Sequence, residues 1–185
     1  AFPAAAAASR FEIVGSYRRG AADSGDIDMI ITSSDKNIFK AFVDMLIGQK
    51  IIVEVLARGP TKCLVITKLP DEPYARRVDF LYASPEEYPF AVLYFTGSKN
   101  FNTVMRARAL ELGYTLNEHE MSKMEPKTKG EKSKKGEKVA HIFKDEKDIF
   151  DFLGLEYKTP QERVDGRAAV VKPPTLAAKL ESLVE

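Results

Sequence analysis

The sequence predicts an α+β protein: a mixed β-sheet backed by helices, joined near residue 85 to a smaller α+β lobe. Three observations predict it. Short apolar runs with strand periodicity fill residues 11–82 around a single amphipathic helical stretch. Ser84, Pro85 and Pro89 punctuate the chain, and beyond them the pattern turns helical. Three aspartates, Asp26, Asp28 and Asp79, sit inside strand-like runs, where carboxylates are disfavoured.

The elements follow in order. FEIVGS (11–16) reads as a short strand ending in a glycine turn, and DIDMIIT (26–32) as a strand buried on both faces toward its end. Ser33, Ser34 and Asp35 offer a cap for a helix whose apolar stripe is Ile38, Phe39, Phe42, Met45 and Leu46, stopped by Gly48. IIVEVL (51–56) and TKCLVITKL (61–69) read as strands around a Gly59-Pro60 turn, and ARRVDFLY (75–82) as the next. FAVLYF and NFNTVMRARALEL are helical, the latter ending at Gly113. Met121 to Lys138 reads as a flexible basic loop, with seven lysines and three glutamates from Lys123 onward. DEKDIFDFLGL (145–155) is a short helix. Residues 166–185 form a tail of unassigned role, with Thr175 as a cap and Leu176, Leu180 and Leu183 on one helical face.

Composition narrows the class. With 185 residues, 44% apolar and 30% charged, the chain can bury a substantial core. A net charge of +1 gives no global nucleic-acid signature, so any basic footprint is local. Cys63 is the only cysteine, which excludes a disulfide framework. No apolar run approaches a membrane span, and AFPAAAAASR lacks a basic leader, so an intracellular location is expected. The alanine run 4–8 carries no functional weight.

Asp26 and Asp28 alternate, so on a strand both carboxylates share one face. With Asp79 they make a cluster that is costly unless cations neutralise it, which points to two divalent metals and phosphoryl or nucleotidyl transfer. The bland readings are solvated carboxylates, and an ion pair between Asp79 and Arg77 on the same face. Gly15 and Ser16 lie eleven residues before Asp26 and are followed by Arg18, Arg19 and Gly20. That grouping suits phosphate, since glycine admits the anion while hydroxyl and guanidinium bind it. Ser24 and Gly25 offer further donors. Tyr94 and Phe95 read as core aromatics on pattern alone, Arg106 and Arg108 as a solvated helix face, and His119 and His141 as non-catalytic.

The stretches GSYRRGAADSGDID, RRVDF, VLYFTGS, FNTVMRARALELGYTLNEH and DEKDIFDFLGLEYKTPQER together resemble the family X DNA polymerases, the polymerase beta–like branch of the nucleotidyltransferase superfamily. The resemblance runs across roughly residues 11–165. It implies a nucleotidyltransferase palm at 1–85 and a thumb lobe at 86–165. It implies that Asp26, Asp28 and Asp79 bind two Mg2+ ions, for which Mn2+ can substitute, and carry catalysis. Gly15, Ser16, Arg19, Ser24 and Gly25 are implied as triphosphate ligands, Tyr94, Phe95 and Gly97 as holding the incoming sugar, and Asn102 as contacting the incoming base. Arg106, Arg77 and Lys62 are implied as DNA contacts.

The implied reaction is templated addition of dNTPs to a primer 3′ end on gapped or nicked DNA, by a monomer acting in base excision or related repair, with repair proteins as further partners. The location implied is at DNA: the nucleus of a eukaryotic cell, or a viral replication site. In the family an amino-terminal lyase domain and helix-hairpin-helix fingers precede the position of Phe11. Nothing here matches them, so a fragment of a longer polymerase is expected, or else a reduced enzyme like the compact viral members. Lys99 stands where some relatives carry an acidic residue. The rival readings are the same chemistry on another acceptor such as RNA, and a non-catalytic DNA-binding module.

Overall fold

The computed structural model describes residues 9–125 and 135–175. The first lobe is a five-stranded sheet built from β1 (Arg10–Ile13), β2 (Asp26–Thr32), β3 (Ile52–Arg58), β4 (Lys62–Thr67) and β5 (Arg76–Ala83), in the order β1-β2-β5-β4-β3. Only β2 and β5 run parallel. Helix α1 (Gly15–Arg18) is a single turn, and α2 (Asn37–Gly48) crosses between β2 and β3.

Alternation assigns the two sheet faces. Ile31, Cys63, Val65, Val78 and Phe80 lie on one face and pack against Phe39 and Val43 of α2. The expected stripe on α2 holds for Ile38, Phe39, Phe42 and Leu46, but Met45 is half exposed and Val43 is buried in its place. The strand expected over 11–16 stops at Ile13, because Gly15 takes φ +69° and turns the chain into α1.

The other sheet face is covered only at one end. Ile30, Leu81 and Ala83 meet Ala91 and Val92 of α3 (Tyr88–Thr96). The opposite side of α3 sends Phe90 and Leu93 into a second core with Phe101, Met105 and Ala109 of α4 (Lys99–Glu111) and Ile149 and Phe150 of α5 (Glu146–Phe152). Helix α3 is therefore apolar all round and serves both lobes. Ser98 caps α4 by accepting from the Phe101 amide, and Asp145 caps α5 through the Asp148 amide.

The second lobe carries a small antiparallel sheet, β6 (Tyr114–Leu116), β7 (Met121–Met124) and β8 (Lys135–Lys138). At Met121–Met124 and Lys135–Lys138 this corrects the reading of 121–138 as a loop. Met121 and Ser122 are fully buried, while Lys135 and Lys138 pair with Glu120 and Glu86, so lysine-rich sequence forms a strand at the sheet edge. The stretch 126–134 and the Leu176 segment lie outside the described residues. No helix among the described residues is long and apolar enough to cross a membrane.

Candidate active site

The parallel pairing of β2 and β5 sets Asp28 directly opposite Asp79 and Asp26 opposite Arg77. Opposed residues on neighbouring strands share a face and lie about 5 Å apart between backbones. All three carboxylates therefore occupy the face that α3 covers further along, at the end α3 leaves open. Burial and then the negative fields of Asp79 and Asp26 push the Asp28 carboxyl above its ordinary range, against the pull of Lys62 and Arg77.

The glycine-serine turn closes on this cluster. The Val14 amide donates to the Asp28 carbonyl at 2.8 Å, and a Cβ on Gly15 would come within 2.9 Å of Asp28 Oδ2. Only glycine allows both that approach and the positive φ. Ser16 Oγ lies 3.2 Å from Ser24 Oγ, which donates to the Asp26 carbonyl at 2.6 Å. Gly25 adjoins them with open space around its α-carbon. Two hydroxyls, one on α1 and one in the loop before β2, thus meet where the chain enters β2 at Asp26.

Arg19 reaches toward α3, with Nη1 donating to the Thr96 carbonyl at 2.6 Å and sitting 3.2 Å from where a Gly97 Cβ would be. Gly97 has φ +70°, and the Gly97–Ser98 peptide is cis. Tyr94 and Phe95 contact edge to face at 5.0 Å. The Asn102 amide donates to the Tyr94 carbonyl at 2.7 Å, and Arg106 lies 4.9 Å over the Tyr94 ring with Glu118 beside it. Tyr94, Asn102, Arg106, Leu116 and Asn117 line a shallow pocket. Arg106 is thus stacked on Tyr94 while its side chain stays half exposed, and Arg108 is tied to the Leu153 carbonyl.

Arg77 Nε donates to Asp79 Oδ1 at 3.2 Å, so the ion pair that alternation allowed is formed. Lys62 opens β4 opposite Leu81, on the same face. Among the described residues no three His, Cys, Asp or Glu side chains converge into a ready-made metal cluster. The donor chemistry nonetheless fits hard divalent cations. Three carboxylates share one face, Asp28 directly opposite Asp79 with Asp26 two residues along the same strand, and carboxylate oxygens are the ligands such cations take.

Arg18 departs from the phosphate-handling role read for it. Its guanidinium turns from the acidic face to grip Glu146 of α5 with two bonds (3.0 and 2.7 Å), Glu12 at 3.1 Å and Thr96 Oγ1 at 2.8 Å. Adjacent residues on a helical turn point about 100° apart, so although both guanidiniums reach Thr96, only Arg18 also reaches Glu12 and Glu146. Arg163, fully buried, donates to Glu146 Oε1 at 2.6 Å, the oxygen that also accepts from Arg18 Nη1, and lies within 6 Å of the Phe101, Phe150 and Tyr157 ring centres. Burial alone would raise the Glu146 carboxyl, but the two guanidiniums outweigh it and hold it below its ordinary range. This clamp joins α1 to the second lobe, and nothing in the sequence marks it. An acidic residue in the first turn of a helix is ordinary.

The family model for the DNA polymerase beta palm matches residues 3–85, and the model for the DNA polymerase beta thumb matches residues 91–164. The chain is 36% identical over 160 residues to DNA polymerase lambda of Rattus norvegicus, covering 80% of this chain and 28% of the rat protein. It is 28% identical over 163 residues to DNA polymerase lambda of Arabidopsis thaliana, covering 80% of this chain and 31% of that protein. It is 26% identical over 151 residues to repair DNA polymerase X of African swine fever virus, covering 82% of this chain and 79% of the viral protein. The sheet, the shared helix and the second lobe define a palm-and-thumb protein of the polymerase beta type. The chain belongs to the family X DNA polymerases. It spans about a third of the length of the two lambda relatives.

Proposed function

We propose that the chain is the palm and thumb of a template-dependent DNA polymerase that adds dNTPs to a primer 3′ end by two-metal nucleotidyl transfer, filling gaps during DNA repair. The observation that carries this reading is the register of β2 and β5, with Asp28 opposite Asp79, Asp26 on the same face and Gly15 pressed against Asp28. The family supports it, since the relatives it matches are named as DNA polymerases.

Asp26, Asp28 and Asp79 would hold two Mg2+ ions, or Mn2+, which supply a lowered hydroxyl pKa and neutralisation of phosphate charge. The residues of the chain do the positioning. Asp79 accepts near the primer hydroxyl. Ser16, Ser24 and the backbone at Gly15 and Gly25 bind the triphosphate, and Arg19 offsets charge on the departing pyrophosphate. Tyr94, Phe95 and Gly97 support the sugar, and Asn102 contacts the base. Arg106, Arg77 and Lys62 hold gapped or nicked primer-template DNA. Orientation and electrostatics supply most of the rate, as in other phosphoryl transfers. The protein acts as a monomer, at DNA inside the cell or at a viral replication site, alongside repair proteins.

Primer extension on gapped DNA with Mg2+, using the full-length protein and its Asp28→Ala variant, tests the proposal. Extension by the parent and loss in the variant is expected. Equal extension by both would overturn it.

A further inference from the structure

We infer that residues 165–172, which follow the end of the family match at residue 164, form a strap that fixes the position of α4, and that Gly166 is its positioning residue. The strap is anchored at both ends. The Asp165 carboxylate accepts from the Arg167 amide at 2.9 Å and folds the 3-10 turn Gly166–Ala168. Ala168 and Ala169 pack on the second-lobe core. The Glu156 amide then donates to the Val170 carbonyl at 2.8 Å, the Lys172 amide donates to the Gly154 carbonyl at 2.9 Å, and Val171 bridges Leu155. Its far end is thus zipped to the chain that leaves α5.

The near end presses on α4. A Cβ on Gly166 would stand 2.5 Å from Val104 Cγ2 and 3.8 Å from the Asn100 carbonyl oxygen. A helical valine is nearly confined to one χ1 rotamer, so that methyl cannot swing aside cheaply. The backbone at 166 needs no positive φ, and close approach alone calls for glycine. At 100° per residue, Asn100 and Val104 form one flank of α4, Phe101, Met105 and Ala109 its buried face, and Asn102 and Arg106 the other flank. The strap therefore backs the helix from the side opposite Asn102 and Arg106. Its consequence for catalysis rests on the polymerase reading. A helix free to rock about its buried face would present Asn102 and Arg106 loosely to substrate, weakening binding before chemistry.

Hydrogen exchange at the amides of residues 100–106, and KM and kcat on gapped DNA, are measured for the full-length protein, Gly166→Ala, and Gly166→Ala combined with Val104→Ala. Gly166→Ala is expected to speed exchange about tenfold and to raise the KM for dNTP by a similar factor, with kcat nearly unchanged. Removing the opposing methyls with Val104→Ala is expected to restore both. Unchanged exchange in Gly166→Ala, a fall in thermal stability with KM unmoved, or failure of Val104→Ala to rescue would each overturn the strap. A parent protein that extends no primer removes the polymerase reading instead, and exchange alone then decides the strap.

Discussion

Arg77 Nε donates to Asp79 Oδ1 at 3.2 Å, so the carboxylate opposite Asp28 is engaged by its own strand neighbour two residues away. The guanidinium and any cation bound on that face compete for one oxygen. Arg77→Met is expected to tighten Mn2+ binding in the absence of DNA about threefold, the modest effect an ion pair open to solvent allows. Calorimetric titration with Mn2+ checks it, and unaltered affinity would remove the competition.

Gly15 has φ +69°, and its α-carbon faces Asp28 Oδ2. Gly15→Ala combines left-handed strain of about 1–2 kcal/mol with a displaced Asp28. Urea unfolding should show that loss, and primer extension should fall by more than the unfolded fraction explains. A stable variant with full extension would mean that the turn need not touch the carboxylate.

Breaking the buried clamp should be costly. Glu146→Ala leaves Arg163 buried without its partner and Arg18 without its bidentate one, an effect of about 3–5 kcal/mol. Thermal melting of variant and parent at pH 7 checks the size.

The same carboxyl makes a pH prediction. The folded state holds Glu146 below the ordinary value of 4.5. Its stabilisation is then fully present above 4.5 and lost as pH falls from there through the folded value. The gap in melting temperature between the parent and Glu146→Gln should narrow below pH 4.5 and stay constant above it. A gap independent of pH across this window would contradict the assignment.

Arg19 donates to the Thr96 carbonyl at the surface that carries Gly97. Arg19→Ala is expected to raise the KM for dNTP about tenfold while shifting the melting temperature by only a few degrees, because the protein loses one side-chain bond to a carbonyl. Steady-state kinetics with varied dNTP reads the first effect and calorimetry the second.

The five strands of the first sheet and the four longer helices were legible in order because alternation and helical spacing are local signals, whereas the single turn α1 and the strands β6 and β7 were not expected. DIDMIIT carries its burial gradient in its own letters, and DEKDIF carries its cap. The lysine-rich edge was not legible. β8 is held by Glu120, Glu86 and pairing with β7, none of which its composition reveals. At the candidate site, the acidic residues stood out because aspartate is rare in strands. The Asp28–Asp79 opposition itself is a tertiary fact, created by a parallel pairing across about fifty residues of intervening chain.

The sequence by itself determined which residues could bear charge on a strand face, that glycine turns the chain after the first strand, and which stretches form the longer helices. Only the tertiary structure decided which partner each charge met. Arg18 and Arg19 are chemically identical neighbours, yet one is clamped to the Glu146 carboxylate and the Thr96 hydroxyl, and the other meets the Thr96 carbonyl beside Gly97. Arg163 has no sequence mark of burial, yet it is fully enclosed by three aromatic rings and a carboxylate. Local pattern specifies backbone conformation residue by residue. The partner of a long charged side chain is chosen by packing between segments far apart in the chain, where desolvation makes a mismatched charge expensive.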